Sequence, residues 1–158
     1  MSVKPIPEGY STLTPYLIVP DGDAALRFYA DAFGATETMR LRYPDGGVAH
    51  AEMRIGDSVC MLASATPDMD VAAPSESQWP TVSLTLYVED CDASFERAVA
   101  AGCVAEQPPT EMFWGDRMAK LRCPHGHRWT VMTCVREVSV EQAQAAMDAM
   151  MAAGEPIE

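Results

Sequence analysis

Segment 48–55 alternates polar with apolar residues, which is the pattern of a β-strand with one polar face. His50, Glu52 and Arg54 lie on that face. An imidazole beside a carboxylate could transfer a proton or take part in hydrogen bonds near neutral pH. His50 and Glu52 are therefore the candidates for catalysis. The competing interpretation is a solvated strand face with ordinary cross-strand pairs.

Segment 112–117 places two aromatic residues beside an acid and a base. Phe113 and Trp114 come directly before Gly115, and Asp116 and Arg117 follow it. Aromatic rings in a loop can stack on a planar ligand or anchor a partner. Trp114 is a candidate ligand-binding residue for this reason. The alternative is that it covers the end of a binding site or packs in a dimer contact.

Cysteine and histidine are common zinc ligands. Three of them occupy every second position of one short segment, at Cys123, His125 and His127. A tight turn rarely points three alternate side chains at one ion, and the sequence offers no second cluster to complete four ligands. The segment therefore predicts a hairpin with Gly126 in a left-handed conformation. Cys60 could act as a nucleophile, but no base lies near it in the sequence, which favours a buried inert thiol.

The composition excludes several classes of partner. The 158 residues carry 23 acidic and 11 basic side chains, a net charge of -12, which repels nucleic acid and anionic membranes. We expect a cytoplasmic protein, because the sequence contains no apolar run of about 18 residues and no apolar secretory signal at its start. The five cysteines include no CxxC pair, which argues against a disulfide scaffold.

Two parts of the chain repeat one pattern, and a repeat indicates the architecture more firmly than residue propensities do. Residues 17–26 align with residues 86–95 and share a leucine, a valine, two aspartates and an alanine. Gly56 and Gly126 each precede the last strand of their copy, and one inserted residue is needed to align them. Each copy predicts a strand, aspartates that cap a helix, and the helix itself.

The repeat predicts two βαβββ modules in an α+β protein. The first strands are expected over 12–19 and 81–88, and the helices over 23–33 and 92–101. The remaining strands are expected over 36–43, 48–55 and 58–63 in the first module, and over 104–108, 117–122 and 128–134 in the second. The modules are assigned to residues 5–64 and 81–135.

Two further segments flank the second module. Residues 65–80 are rich in proline, serine, aspartate and alanine and predict a linker or flap. Residues 138–153 predict an amphipathic helix that begins at a capping box formed by Ser139 and Gln142. The methionine-rich face of this helix is expected to dock on the body of the protein or on a second subunit.

The duplicated βαβββ unit resembles the vicinal oxygen chelate superfamily, which includes glyoxalases, bleomycin resistance proteins and extradiol dioxygenases. The motifs that carry the resemblance look like those of the PhnB-like subgroup and lie at residues 14–19, 28–35, 50–58, 86–90 and 112–117. The resemblance implies two tandem modules whose curved mixed sheets form a cleft. Function does not follow from the fold alone.

The resemblance also implies where a metal would bind, because the metal-dependent enzymes of the superfamily take ligands from the first and last strands of each module. The matching positions here are Thr14, Cys60, Ser83 and Thr130. Divalent ions of this chemistry need imidazole or carboxylate donors, which none of the four provides. We therefore expect no metal and no other cofactor, and neither glyoxalase I nor extradiol dioxygenase activity.

Strand alternation extends the implied cleft to the neighbours of these four positions. The predicted ligand-binding residues are Thr14, Tyr16, Cys60, Ser83, Thr85, Tyr87, Trp114 and Thr130. The sequence thus favours a metal-independent protein of the bleomycin-resistance type that binds a small organic molecule and forms a homodimer.

Two other functions stay open from the sequence. The first is an enzyme of the lyase, isomerase or transferase type, which uses His50 and Glu52 as acid and base or a metal held by unusual ligands. The second is an interaction module whose methionine-rich terminal helix binds a partner.

Overall fold

Sheet 1 is formed by the first half of the chain in the computed structural model, which describes residues 3–75 and 77–155. Its strands are β1 (Tyr16–Val19), β2 (Thr36–Arg42), β3 (Val48–Ile55) and β4 (Ser58–Ser64). Their order across the sheet is β1-β4-β3-β2. Strand β1 runs parallel to β4 and the other pairs are antiparallel, so helix α1 (Gly22–Phe33) is part of the connection that leaves β1.

Sheet 2 repeats this arrangement. Its strands are β5 (Ser83–Tyr87), β6 (Val104–Glu111), β7 (Asp116–Arg122) and β8 (Arg128–Cys134), in the order β5-β8-β7-β6. Helix α2 (Cys91–Ala100) follows β5. The predicted α+β fold with two βαβββ units is confirmed.

The two crossover helices begin in the same way. The side chains of Asp21 and Asp90 accept hydrogen bonds from the backbone amides of Ala24 and Ala93, which satisfies donors that a helix start leaves free. Helix α1 ends at Gly34, which has a left-handed conformation with φ of 68°. The aspartates that aligned in the sequence repeat therefore have the capping role expected of them.

Some strand limits differ from the prediction, for reasons of local chemistry. Strand β1 begins at Tyr16 rather than at residue 12. Strand β6 continues to Glu111 although it contains Pro108 and Pro109. It lies at the edge of sheet 2, where proline is tolerated, and its pairing with β7 shifts between Gln107 and Thr110.

A single hydrophobic core joins the two modules. It contains buried side chains of both helices and one face of each sheet, including Leu62 and Met53 from sheet 1 and Leu121 from sheet 2. Tyr29 of α1 packs on Trp129 of β8, with ring centroids 5.4 Å apart. The helices therefore lie between the sheets. We call the face of each sheet toward the helices its inner face and the opposite one its outer face.

Two segments lie outside the sheets. Residues 65–82, which we call the connector, contain no helix or strand among the described positions, and Glu76 of the predicted linker lies outside them. Helix α3 (Val140–Ala153) confirms the predicted C-terminal helix and begins at the expected capping box of Ser139 and Gln142. No residue of α3 is buried. Among the described residues, no helix is long and apolar enough to cross a membrane.

Candidate functional site

The outer face of sheet 1 brings together residues from four strands. Tyr16 of β1 is paired with Met61 of β4, which is paired with Glu52 of β3, and Glu52 is paired with Met39 of β2. His50 lies on the same face as Glu52 because the two residues are separated by one position in β3. The polar face predicted from residues 48–55 is thus the outer face of sheet 1.

A chain of hydrogen bonds crosses this face. The hydroxyl of Tyr16 lies 3.1 Å from Nδ1 of His50, and Nε2 of His50 lies 3.2 Å from Oε1 of Glu52. The hydroxyl of Tyr10 donates to the other carboxylate oxygen of Glu52. When Tyr16 donates to Nδ1, the proton of the neutral imidazole is on Nε2 and is donated to Glu52. The four side chains then form a continuous chain of donors and acceptors.

Gly9 and Tyr10, which precede β1, lie over the Glu52 end of this chain of hydrogen bonds. Tyr10 holds the segment against Glu52, which is only 7% exposed, and a guanidinium nitrogen of Arg54 donates to the carbonyl of Gly9 at 3.4 Å. The hydrogen bond to Glu52 raises the pKa of Tyr10, and burial raises the pKa of Tyr16. Both hydroxyls therefore keep their protons at neutral pH and can act as donors.

The predicted residues of the second module lie on the outer face of sheet 2. Thr85 is paired with Thr130, and the hydroxyl of Ser83 lies 3.4 Å from that of Thr130. Tyr87 donates to Asp116 at 3.3 Å, and the indole nitrogen of Trp114 donates to the same carboxylate oxygen at 2.9 Å. The negative charge of Asp116 raises the pKa of Tyr87. Three methionines, Met112, Met118 and Met132, form a small buried cluster beside Trp114.

Gly115 makes this arrangement possible. Its φ of +106° lies in the region that favours glycine, and a Cβ atom there would lie 2.1 Å from the carbonyl oxygen of Arg136. The carbonyl of Gly115 accepts from the amides of Val135 and Arg136. The tight turn thus fixes Trp114 and Asp116 on either side of the glycine.

Cys60 does not lie on the outer face of sheet 1 with Tyr16, although it lines a cavity of about 200 Å³ together with Thr85. It is paired with Met53, and its neighbour on the same face, Leu62, is paired with Leu17, so all four side chains lie in the core. Burial raises the pKa of Cys60 to about 12, which leaves an inert thiol. The position that matches Thr130 is Met61, because Tyr16 is paired with Met61 as Thr85 is paired with Thr130.

The prediction placed Cys60 on the wrong face because the hairpins before β4 and β8 differ in length. Gly56 and Asp57 alone connect β3 to β4, whereas residues 123–127 connect β7 to β8. Aligning Gly56 with Gly126 therefore shifted the last strand by one residue. A shift of one residue moves a side chain to the opposite face of a sheet.

The remaining predicted residues fall into two separate groups. Thr14 precedes β1, donates to the carbonyl of Ser11 at 3.1 Å, and lines a small cavity with Tyr10, Glu52 and Met61. It therefore belongs with the outer face of sheet 1. Among the described residues, no hydrogen bond joins Thr14 or Tyr16 to the predicted residues of the second module, which are Ser83, Thr85, Tyr87, Trp114 and Thr130.

A cavity of about 670 Å³ lies between β1 and the connector, and no sequence pattern predicted it. Its walls are mostly apolar and include Leu13, Tyr16, Ile18, Val71, Trp79 and Val82. The connector has no periodic pattern from which its position could be predicted. Tyr16 thus borders this cavity and also begins the hydrogen-bonded chain.

The residues present do not fit the metal site that the resemblance implies. The four matching positions are Thr14, Met61, Ser83 and Thr130, which offer hydroxyls and a thioether in place of imidazoles and carboxylates. Within residues 3–75 and 77–155, no three histidine, cysteine or acidic side chains are grouped so that they could hold a metal ion.

Among the described residues, the side chains of the Cys-x-His-x-His segment do not form a group that could hold a metal ion. The thiol of Cys123 lies 3.6 Å from the hydroxyl of Tyr29, and His125 packs on Phe28 with ring centroids 5.7 Å apart. Burial lowers the pKa of His127 to about 4, so that its imidazole is neutral at neutral pH. The segment is a hairpin with Gly126 at a φ of +89°, as the sequence predicts.

Comparison with known proteins agrees with this architecture. An uncharacterized protein of Mycobacterium bovis is 38% identical over 141 residues, which cover 85% of this chain and 91% of that protein. The crystal structure of TioX from Micromonospora sp. ML1 is 25% identical, with a TM-score of 0.63 over 79% of this chain and 99% of that one.

A PhnB protein from Bacillus cereus, 18% identical, has the same fold, with a TM-score of 0.62 over 78% of this chain and 99% of that one. Residues 11–131, most of the chain, match the family described as the Glyoxalase/Bleomycin resistance protein/Dioxygenase superfamily. The duplicated βαβββ fold, its helices between two four-stranded sheets and the matching sequence together show that this chain belongs to that superfamily.

Proposed function

We propose that the protein binds a small organic molecule without a metal, in the manner of bleomycin-resistance-type members of its superfamily. The observation that carries the proposal is the position of Tyr16. Its side chain borders the cavity of about 670 Å³ and its hydroxyl reaches His50. A ligand seated there would meet an apolar wall and a hydrogen-bonding group at once, as is usual for small-molecule sites.

The apolar part of the ligand would occupy the cavity between β1 and the connector. Leu13 and Ile18 supply one wall, and Val71 and Trp79 supply another. Burying apolar ligand surface contributes about 25 cal/mol per Å² before the costs of association are counted. The cavity is therefore large and apolar enough to contribute most of the affinity.

The polar part of the ligand would reach the chain of hydrogen bonds on sheet 1. Tyr16 is 47% exposed and can share its hydroxyl between His50 and a ligand. Thr14 lies near Glu52 and adds a second hydroxyl. These groups are neutral donors and acceptors, which fix orientation without requiring a strongly charged ligand.

We further propose that the protein acts as a homodimer in the cytoplasm. The outer face of sheet 2 carries Tyr87, which is 68% exposed, and the hydroxyls of Ser83 and Thr85. A second copy could place this face against the outer face of sheet 1 and complete the binding site. The five free thiols are compatible with a reducing compartment.

Isothermal titration and thermal shift with a panel of small molecules test the proposal. A true ligand raises the melting temperature with its concentration, and the shift persists after treatment with EDTA. Tyr16→Ala should abolish the shift, whereas Val99→Ala, on the exposed side of α2, should leave it unchanged. Binding that disappears with the metal and returns with it would overturn the metal-independent form.

A second function is supported by one observation, the position of His50 between Tyr16 and Glu52. An imidazole held by a carboxylate on one side and a phenol on the other can accept and return a proton. The protein would then act as a lyase, isomerase or transferase on the ligand that it binds. Proton exchange at carbon in a bound carbonyl compound, followed by NMR in deuterated water, should be catalysed by the native protein and lost in His50→Ala.

A further inference from the structure

Trp79 of the connector rests on two arginines of sheet 2. The guanidinium carbon of Arg122 lies 4.6 Å from the centre of the indole ring, and that of Arg128 lies 5.3 Å from it. Both distances are within the range of cation–π attraction. The ring is nevertheless 70% exposed and forms part of the wall of the large cavity. Most of its surface is therefore free to contact a ligand.

Glu106 holds the two arginines in place. One carboxylate oxygen accepts from Nε of Arg122 at 2.9 Å, and the other accepts from Nε of Arg128. Arg122 and Arg128 are cross-strand partners on β7 and β8, so their side chains emerge from the same face. Two positive charges and one negative charge leave a net positive charge beside Trp79.

The cavity itself is uncharged. None of the described residues that line it is an aspartate, glutamate, lysine or arginine. Because 22% of the residues in the chain are charged, a cavity wall without charged side chains bears on the charge of the ligand that the cavity accepts. Its polar groups are amides, hydroxyls and the neutral imidazole of His127. A charged ligand group would lose its hydration here without gaining an opposite charge.

We propose that the cavity selects an uncharged planar aromatic group that stacks on Trp79, and that Arg122 and Arg128 are the positioning residues for this ring. The inference rests on the proposed function, because it names the class of ligand for the same site. A tryptophan ring with no cation beside it would attract a cationic ligand. Here two guanidiniums already make that interaction, and their net positive charge disfavours a third cation.

Three naphthyl compounds that differ mainly in charge test the selectivity. They are naphthylacetamide, naphthylacetate and naphthylmethylammonium, and each is titrated calorimetrically into the full-length protein. The neutral amide should bind most tightly, with the ammonium compound about tenfold weaker. A cation or an anion that binds as tightly as the amide would overturn the inference, as would a failure of all three compounds to bind.

Variants of the wall test the role of each residue. Trp79→Ala should weaken the amide about tenfold and Trp79→Phe less, because phenylalanine keeps a ring. The double variant Arg122→Lys and Arg128→Lys keeps the charges but loses the planar stacking groups, so it should weaken the amide severalfold and retain the discrimination against the cation. Arg117→Lys, at an ion pair with Asp92, is the matched control and should bind normally.

The outcomes separate this inference from the proposed function. If Tyr16→Ala abolishes binding of the amide but Trp79→Ala does not, the binding function stands and the aromatic wall is wrong. If no member of a broad panel of small molecules changes the melting temperature, both proposals fail. Equal affinities for the amide in the native protein and in the double arginine variant would remove the positioning role.

Discussion

Tyr16 and His50 are hydrogen-bonded at 3.1 Å although their strands are not neighbours. Strand β4 lies between β1 and β3. The bond therefore crosses β4 on the outer face of the sheet, where a long phenol can reach over the intervening strand. This hydrogen bond links β1, the edge strand beside the cavity, to β3, the strand that carries Glu52.

Removing the Tyr16 hydroxyl should weaken ligand binding without unfolding the protein. Tyr16→Phe keeps the ring that borders the cavity and loses the hydrogen bond to His50, a loss of about 0.5–1.5 kcal/mol. Calorimetric titration should show a decrease in affinity of about two- to tenfold. The melting temperature should change little, because Tyr16 is 47% exposed. An unchanged affinity would contradict the role of this hydroxyl.

Removing the indole of Trp129 should destabilise both modules together. Trp129 is 2% exposed and packs against Tyr29 and Phe33 of α1, with ring centroids 5.4 and 4.8 Å apart. Trp129→Ala should lower the free energy of unfolding by about 3–5 kcal/mol, as measured by denaturant titration. Val104→Ala, an exposed change on the edge strand β6, should stay within about 0.5 kcal/mol. A small effect at Trp129 would show that the modules do not share one core.

Acidification should destabilise the protein before its carboxylates are protonated. Burial lowers the pKa of His127 from 6.5 to about 4 and also lowers that of His125. Between these two values the unfolded chain binds a proton at His127 that the folded chain does not. Protons therefore favour unfolding, and stability falls as the pH decreases from about 6.5, by up to roughly 3 kcal/mol at His127.

Denaturant titrations from about pH 7 to pH 5 measure this dependence. His127→Asn should reduce the slope, with His125 responsible for what remains. The ion-paired carboxylates of Asp23 and Asp92 have lowered pKa values, so their contribution is lost at lower pH. An identical slope in His127→Asn and in the native protein would refute the explanation.

Gly115 should tolerate no side chain. Gly115→Ala places a Cβ atom 2.1 Å from a carbonyl oxygen and adds strain at a φ of +106°, which together should cost about 3 kcal/mol or more. Gly46→Ala is the matched control, because its φ is +95° and no atom lies within 4 Å of the added carbon. It should cost about 1–2 kcal/mol. Equal losses in the two variants would contradict the steric argument.

Much of the fold could be predicted because its signals are local. Aspartates before α1 and α2 indicate helix starts, and Gly34 indicates a helix end. The alternation of residues 48–55 placed His50 and Glu52 on one face. These inferences need only the order of nearby residues, since caps and strand faces depend on short segments.

The candidate site could be predicted only in part because it depends on how strands are paired. The contact between Tyr16 and His50 requires knowing that β4 separates β1 from β3. The choice between Cys60 and Met61 requires the register of β4, which the different lengths of the hairpins obscured. Trp79 lies in a connector without periodicity, so its contact with Arg122 and Arg128 had no signal in the sequence.

The longer hairpin at residues 123–127 has one more consequence. It is the part of the second copy that has no counterpart in the first, and it supplies the contacts of Cys123 and His125 with Tyr29 and Phe28 of α1. The longer hairpin thus packs where the two modules meet. A second copy with a two-residue hairpin like that of the first would lack these contacts between the modules.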